Sequence, residues 1–298
     1  MDVERLHRIA KKLGNIPYDV LMLAHDPLVL KAYVNFYNCQ LRHGNWGDDL
    51  NYYLIKELSG KSIVFKNNSI IYGFCKKNYL CIGSTIEWMC DEHTIVWGSG
   101  AMFGTERLMH HPKEVLAVRG ALTRSFLLAN GVDCPEIYGD PALLLPRVYN
   151  PQRIGKKYRI GIIPHIQDLS NPILLRYIQE NDDAVLIELK NYGVWTDVID
   201  MILQCEFVIS SSLHGLIISD AYGIPNVWVS FSDKISGGSF KYLDYFSSVH
   251  KLCKSSLPIY NYEVICKISI RDCIDAEKMV DLDLLLSVCP FAGGKYVR

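Results

Sequence analysis

Four short apolar runs, Arg159–Ile163, Ala184–Leu189, Phe207–Ser210 and Asn226–Ser230, are separated by segments of helical length, Pro172–Gln179, Val194–Leu203 and Leu213–Tyr222. Strict alternation of strand and helix with short connections leaves few solutions. It demands a parallel sheet whose strands are joined by right-handed crossovers through helices on its faces. Runs at Ala32–Tyr37, Ser62–Phe65, Tyr79–Ile82, Thr94–Trp97 and Val115–Val118 carry the same texture into the first half. Each is bounded by glycine or polar residues, as suits strands buried on both faces. Between the halves, Pro146–Gln152 holds two prolines and no periodicity, and reads as a linker. The expectation is α/β, with two doubly wound parallel-sheet, Rossmann-like domains. They span residues 31–147 and 153–298, behind a helical extension over 1–30, and a late helix, Asp275–Val288, packs back on the first domain.

The 298 residues suffice for two such domains. Lys and Arg number 31 against 32 Asp and Glu, so no bulk attraction to nucleic acid is encoded, and an anionic ligand needs local cations. No apolar stretch reaches the roughly 18–20 residues that span a bilayer, and no secretory leader pattern opens the chain. The ten cysteines include no CxxC pair and read as reduced thiols, which together predict a cytoplasmic protein. Neither a phosphate-binding GxxxxGK[ST] loop nor an HExxH helix is present, and no metal or cofactor is expected. In the first helix Leu6, Ile9, Ala10 and Leu13 recur three or four apart, opposite Arg5, Arg8, Lys11 and Lys12. That basic face reads first as solvated and packed on the body.

Ligands of open α/β sheets sit beyond the carboxyl ends of the strands. Four loops there carry polar residues that a core does not need. Gly44–Asn45–Trp46–Gly47–Asp48–Asp49 combines glycines with Asn45, donor and acceptor at once, before a helix capped by Asp48 or Asp49. Trp97–Gly98–Ser99–Gly100 brings backbone close to whatever lies above it. Arg119 sits where a strand becomes a helix, so its planar fork adds to the free N–H groups of the helix start. In Ser210–Ser211–Ser212–Leu213–His214–Gly215 a strand ends in three serines and His214 enters the first turn of the next helix. Uncompensated N–H groups there favour an anion and keep the imidazole neutral until one arrives. His165 follows another strand end, and Gly237–Tyr245 reads either as a mobile flap carrying Lys241 over a bound anion or as a flexible loop before an amphipathic helix.

The chain resembles the polysaccharide pyruvyl transferases. The resemblance is carried, in order, by Gly44–Asp48, Val118–Arg119–Gly120, Gly139–Asp140–Pro141–Ala142, Ser211–Gly215 and Ser219–Pro225. It implies two domains arranged as in GT-B glycosyltransferases, acceptor on the first and donor on the second. The donor would be phosphoenolpyruvate. The acceptor would be a sugar of a capsular or exopolysaccharide, free or as a lipid-linked precursor, with a 4,6-ketal on galactose or a related hexose as the family-level product. On that reading His214 is the acid/base, and Arg119, Ser211, Ser212, His165 and Lys241 bind the donor. Asn45, Trp46, Asp48, Trp97 and Ser99 face the acceptor. Many members carry an arginine just before the Leu-His pair, where this chain has Ser212, so Lys241 or His165 takes over its anion. A lipid-linked acceptor would also make the basic first helix a peripheral contact with the inner membrane face. Two rival readings of the same architecture are a nucleotide-sugar glycosyltransferase and a non-catalytic sugar-binding protein.

Overall fold

A computed structural model describes residues 3–105, 107–152, 154–277 and 280–293. It contains two five-stranded sheets in which every neighbouring pair of strands runs parallel. The first is built from β1 (Leu28–Leu30), β4 (Ile63–Phe65), β5 (Asn78–Leu80), β6 (Thr94–Trp97) and β7 (Glu114–Ala117), in the order β4-β1-β5-β6-β7. The second comprises β8 (Tyr158–Ile163), β9 (Ala184–Leu186), β10 (Cys205–Ser210), β11 (Asn226–Ser230) and β12 (Leu257–Pro258), in the order β12-β11-β10-β8-β9. Renumbered within each half, both sheets follow the order 2-1-3-4-5. Each reverses direction once, at β1/β5 and at β8/β10, and such a reversal marks where a doubly wound sheet binds its ligand. The chain thus repeats a topology without repeating a sequence.

The helices of the first half are α1 (Val3–Leu13), α2 (Ile16–Met22), α3 (Trp46–Ser59), α4 (Ile86–Met89), α5 (Ala121–Ala129) and α6 (Leu145–Val148). The second half contributes α7 (Pro172–Glu180), α8 (Trp195–Leu203), α9 (Leu213–Ala221), α10 (Phe240–Val249), α11 (Tyr262–Lys267) and α12 (Leu282–Ser287). Local chemistry sets their ends. Asn45 caps α3 by accepting from the Gly47 N–H, and Gly60 closes it at φ +65°. None of the described helices is long and apolar enough to cross a membrane.

Several elements differ from the sequence expectation, among them an unexpected fifth strand, β12, and the short α6, which overlaps the stretch read as a linker. The first sheet begins earlier, at Leu28, inside the stretch read as helical. Its supposed first strand is instead one arm of an antiparallel hairpin, β2 (Asn35–Tyr37) and β3 (Gln40–Arg42). Asn38 and Cys39 turn it with φ of +50° and +62°, the two left-handed residues of a type I′ turn. The late helix starts only at Leu282, capped by Asp281; positions 278 and 279 of the expected helix lie outside the described residues. Finally, of the two readings of Gly237–Tyr245 the structure has the helix, not a flap, from residue 240 onward. Phe240–Val249 is a packed helix whose Tyr242 and Tyr245 are fully buried.

The largest apolar cluster runs through both halves. Trp46, Leu50 and Leu54 of α3 share it with Ile199, Leu216 and Tyr245. The C-terminal segment lies against the first sheet: Trp97 Nε1 donates to the Leu285 carbonyl at 2.9 Å, and Phe291 packs edge-on to Trp97 and Tyr79.

Candidate active site

The reversal of the second sheet is locked by its serines. The Ser210 hydroxyl donates to the Ile163 carbonyl across β8/β10 at 2.9 Å and accepts the Ser212 N–H at 3.0 Å. Ser211 Oγ accepts the His165 N–H at 2.8 Å and reaches Asp168 at 3.3 Å, while Tyr242 donates to the Ser211 carbonyl. Ser212 then starts α9 without spending its hydroxyl on a cap bond. The serine run therefore does two jobs: its first two hydroxyls fix the crossing, and its third is left at the helix start.

In the first turn of α9, the His214 ring is buried against α3. A Cβ placed on Gly47 would fall 2.0 Å from His214 Nδ1, so only glycine lets the two helix starts meet. On the other side, His214 Nε2 faces Asp140 Oδ2 at 4.0 Å. Neither atom has a hydrogen-bond partner among the described residues. Burial, then the charges of Arg119 and Lys241, push the imidazole down to about 3, so it stands neutral. Burial raises Asp140 to about 6 against the Ala142 N–H and Arg119, which favour its charge. Two unsatisfied polar atoms this close, in a buried place, are costly unless something bridges them.

Lys241, in the first turn of α10, brings the positive charge. Its side chain is nearly fully buried, yet it forms no ion pair among the described residues. Burial, then Arg119, lower the ammonium to about 8, with Asp48 pulling the other way. Its field also depresses His165, which burial already holds down at about 4. The His165 Nδ1 accepts the Gln167 N–H at 3.3 Å, which leaves the ring proton on Nε2. From the first domain comes Asp48, half-buried, held by Asn45 Nδ2 at 2.9 Å. Burial and the neighbouring Asp49 raise this carboxyl to about 7. Asp49 itself is committed elsewhere, accepting from Tyr192 across the interface at 2.8 Å.

The structure therefore gathers Asn45, Asp48, His165, Ser211, Ser212, His214 and Lys241 into one cluster where the halves meet. It removes four other expected residues from direct contact. Arg119 is fully buried and spoken for: Nε bonds Asp244 at 2.9 Å, one terminal nitrogen the Ala101 carbonyl at 2.7 Å and the other Ser84 Oγ. It acts on the cluster through its field, as a clasp between domains. Trp46 is also fully buried, its indole N–H on the Trp195 carbonyl at 2.8 Å, and Trp97 is core for the same reason. Ser99 is buried with its hydroxyl on the Gly83 carbonyl. No face of these three is open to a sugar. Conversely, Asp140 and Asp244 were not anticipated as working residues. Asp140 was visible in the Gly139–Ala142 motif, but nothing local tied it to a histidine 74 positions away.

Residues 6–233 match the family described as polysaccharide pyruvyl transferase. The chain is 31% identical over 222 residues to the succinoglycan biosynthesis protein ExoV of Rhizobium meliloti (strain 1021). That match covers 70% of this chain and 63% of the relative, so the chain spans less than two thirds of it. It is also 28% identical over 221 residues to the uncharacterized protein L143 of Acanthamoeba polyphaga mimivirus, covering 73% and 74% of the two chains. No solved structure matches at a significant level.

Proposed function

The chain belongs to the polysaccharide pyruvyl transferase family, enzymes that place pyruvate on polysaccharide, and on that premise we propose that its donor is phosphoenolpyruvate and its product a cyclic ketal. The observation that carries this reading is the buried, unpaired Lys241 beside the orphaned His214 Nε2. A buried cation with no ion-pair contact, whose nearby carboxyl, Asp48, is itself held near neutrality, and an imidazole kept neutral suit a small, doubly acidic ligand.

In the proposed reaction a proton reaches the methylene carbon of the enol, which becomes a methyl group and leaves C2 cation-like. One sugar hydroxyl bonds to C2 and gives up its proton. The second hydroxyl displaces phosphate, breaking the C2–O bond, and its proton leaves with the phosphate. Lys241, Ser212 and the free N–H groups at the start of α9 hold the anion, with His165 at its edge. Bound negative charge raises His214, which then serves as acid and base, and the Asp140 carboxylate 4.0 Å away steadies the imidazolium. Asp48, poised near neutrality by burial, takes the proton of an acceptor hydroxyl held by Asn45. The two lobes would sit as in GT-B enzymes, acceptor on the first. The acceptor class is a hexose, galactose or a relative, of a lipid-linked precursor on the cytoplasmic side.

The test is to incubate the protein with phosphoenolpyruvate and a panel of hexosides, following inorganic phosphate and the ketal methyl resonance. Phosphate released together with one new methyl singlet supports the reading. Turnover of a nucleotide sugar to nucleoside diphosphate, with no phosphoenolpyruvate consumed, refutes it.

A further inference from the structure

Helix α1 is packed the wrong way round for a surface helix. Leu6, Ile9 and Leu13 fall on one face, at spacings of three and four, and that face looks outward with exposures of 43%, 43% and 52%. The opposite side leans on the hairpin: Lys11 and Lys12 are half-buried, and Lys11 Nζ lies 5.2 Å from the Tyr37 ring centroid on β2. Arg5 and Arg8 stay exposed, Arg5 at the edge of the apolar stripe and Arg8 further round the helix. In α2 and just beyond it, Val20, Leu21 and Leu23 are exposed as well. Six large apolar side chains facing water within eighteen residues are not scattered exposure of the ordinary kind.

Charge selects the partner. Four basic residues against Glu4 give α1 a net +3 on a chain whose formal charge is −1. Two copies of such a helix repel, and a neutral apolar groove would leave the arginines idle. We propose that α1 docks in the plane of an anionic lipid bilayer, with Leu6, Ile9 and Leu13 in the acyl boundary and Arg5 and Arg8 reaching back to the head groups. Basic amphipathic helices bind this way by burying apolar area and meeting negative surface charge together. Each basic residue near such a surface strengthens partition about fivefold. The docking would bring the crevice to a lipid-linked acceptor; in that purpose it rests on the reading above. Lipid binding itself is read without turnover, so either idea can fail alone.

The experiment is co-sedimentation of the whole protein with vesicles of phosphatidylcholine alone or mixed with phosphatidylglycerol, at low and high salt. The wild type is expected to sediment with the anionic vesicles only, and less at high salt. Arg5→Glu/Arg8→Glu and Leu6→Glu/Ile9→Glu/Leu13→Glu should each weaken partition by about 25-fold or more, with unchanged unfolding midpoints because every altered side chain is exposed. Failure of the wild type to sediment, or sedimentation indifferent to both variants, overturns the proposal. So does light scattering that shows a dimer which the triple variant dissolves, since the stripe would then be covered by a second copy.

Discussion

A buried cation needs a counter-charge, and Arg119 and Lys241 meet that need differently. Arg119 has Asp244, whose carboxylate also takes the Thr123 N–H and hydroxyl. Lys241 has no such partner among the described residues, and burial lowers its ammonium to about 8. Below that pH the free enzyme carries the cation; above it the charge is lost. The kcat/KM for the donor should therefore fall as pH rises through about 8. Lys241→Arg, whose guanidinium keeps its proton, should remove that limb, and Lys241→Met should depress kcat/KM at every pH. An unaltered profile in both variants would sink the role of Lys241. His214→Gln should lower kcat by ~10²–10⁴-fold, the usual worth of a positioned acid/base, with a normal circular-dichroism spectrum as the check on folding. The sequence alone does not separate these two cations. An arginine at a strand-to-helix switch looks the same whether its partner is a ligand or an aspartate 125 residues on.

At the level of elements, the site depends on two helix starts meeting without side chains between them. Gly47→Ala would ordinarily favour a helix by about 1 kcal/mol. Here the new methyl would fall on the His214 ring. The expected outcome is a loss of turnover with little gain or a drop in melting temperature; full activity with a raised melting temperature would mean that α3 does not position the histidine. The sequence made most of this frame readable because four of the second half's five strands are apolar runs, and β11 matches its expected limits; β12, two exposed residues, carries no such signal. It failed at β1. Leu28–Leu30 follows α2 after a few residues, so periodicity could not separate strand from helix, although β1 is the strand around which the first sheet reverses. The glycine-rich approach to α10 resembled a flap because composition does not reveal that Tyr242 stacks on Trp228 at 4.6 Å. Trp46 and Trp97 show the same limit: an aromatic beside a glycine loop serves a core or a sugar equally well, and only packing decides.

Over the whole molecule, the two sheets are not independent lobes. Apolar contacts run continuously from α3 to α9 and α10, and the Arg119–Asp244 pair is sealed between them. Unfolding should accordingly show one transition by fluorescence and circular dichroism alike. Arg119→Met, which strands the Asp244 charge, should cost about 3–5 kcal/mol in urea denaturation while changing donor affinity far less than Lys241→Met does. Two separated transitions would mean that the crevice walls move independently. The central claim is that one crevice seats a doubly acidic donor between Lys241 and His214. Titration calorimetry with phosphoenolpyruvate, in two buffers of unlike ionisation enthalpy near neutral pH, reads it directly. Binding should take up protons as His214 rises from about 3, the uptake should fall in His214→Gln to the share that Asp48 and Lys241 contribute, and Lys241→Met should weaken binding at least about tenfold. Equal affinity in all three proteins, with no buffer dependence, would contradict it.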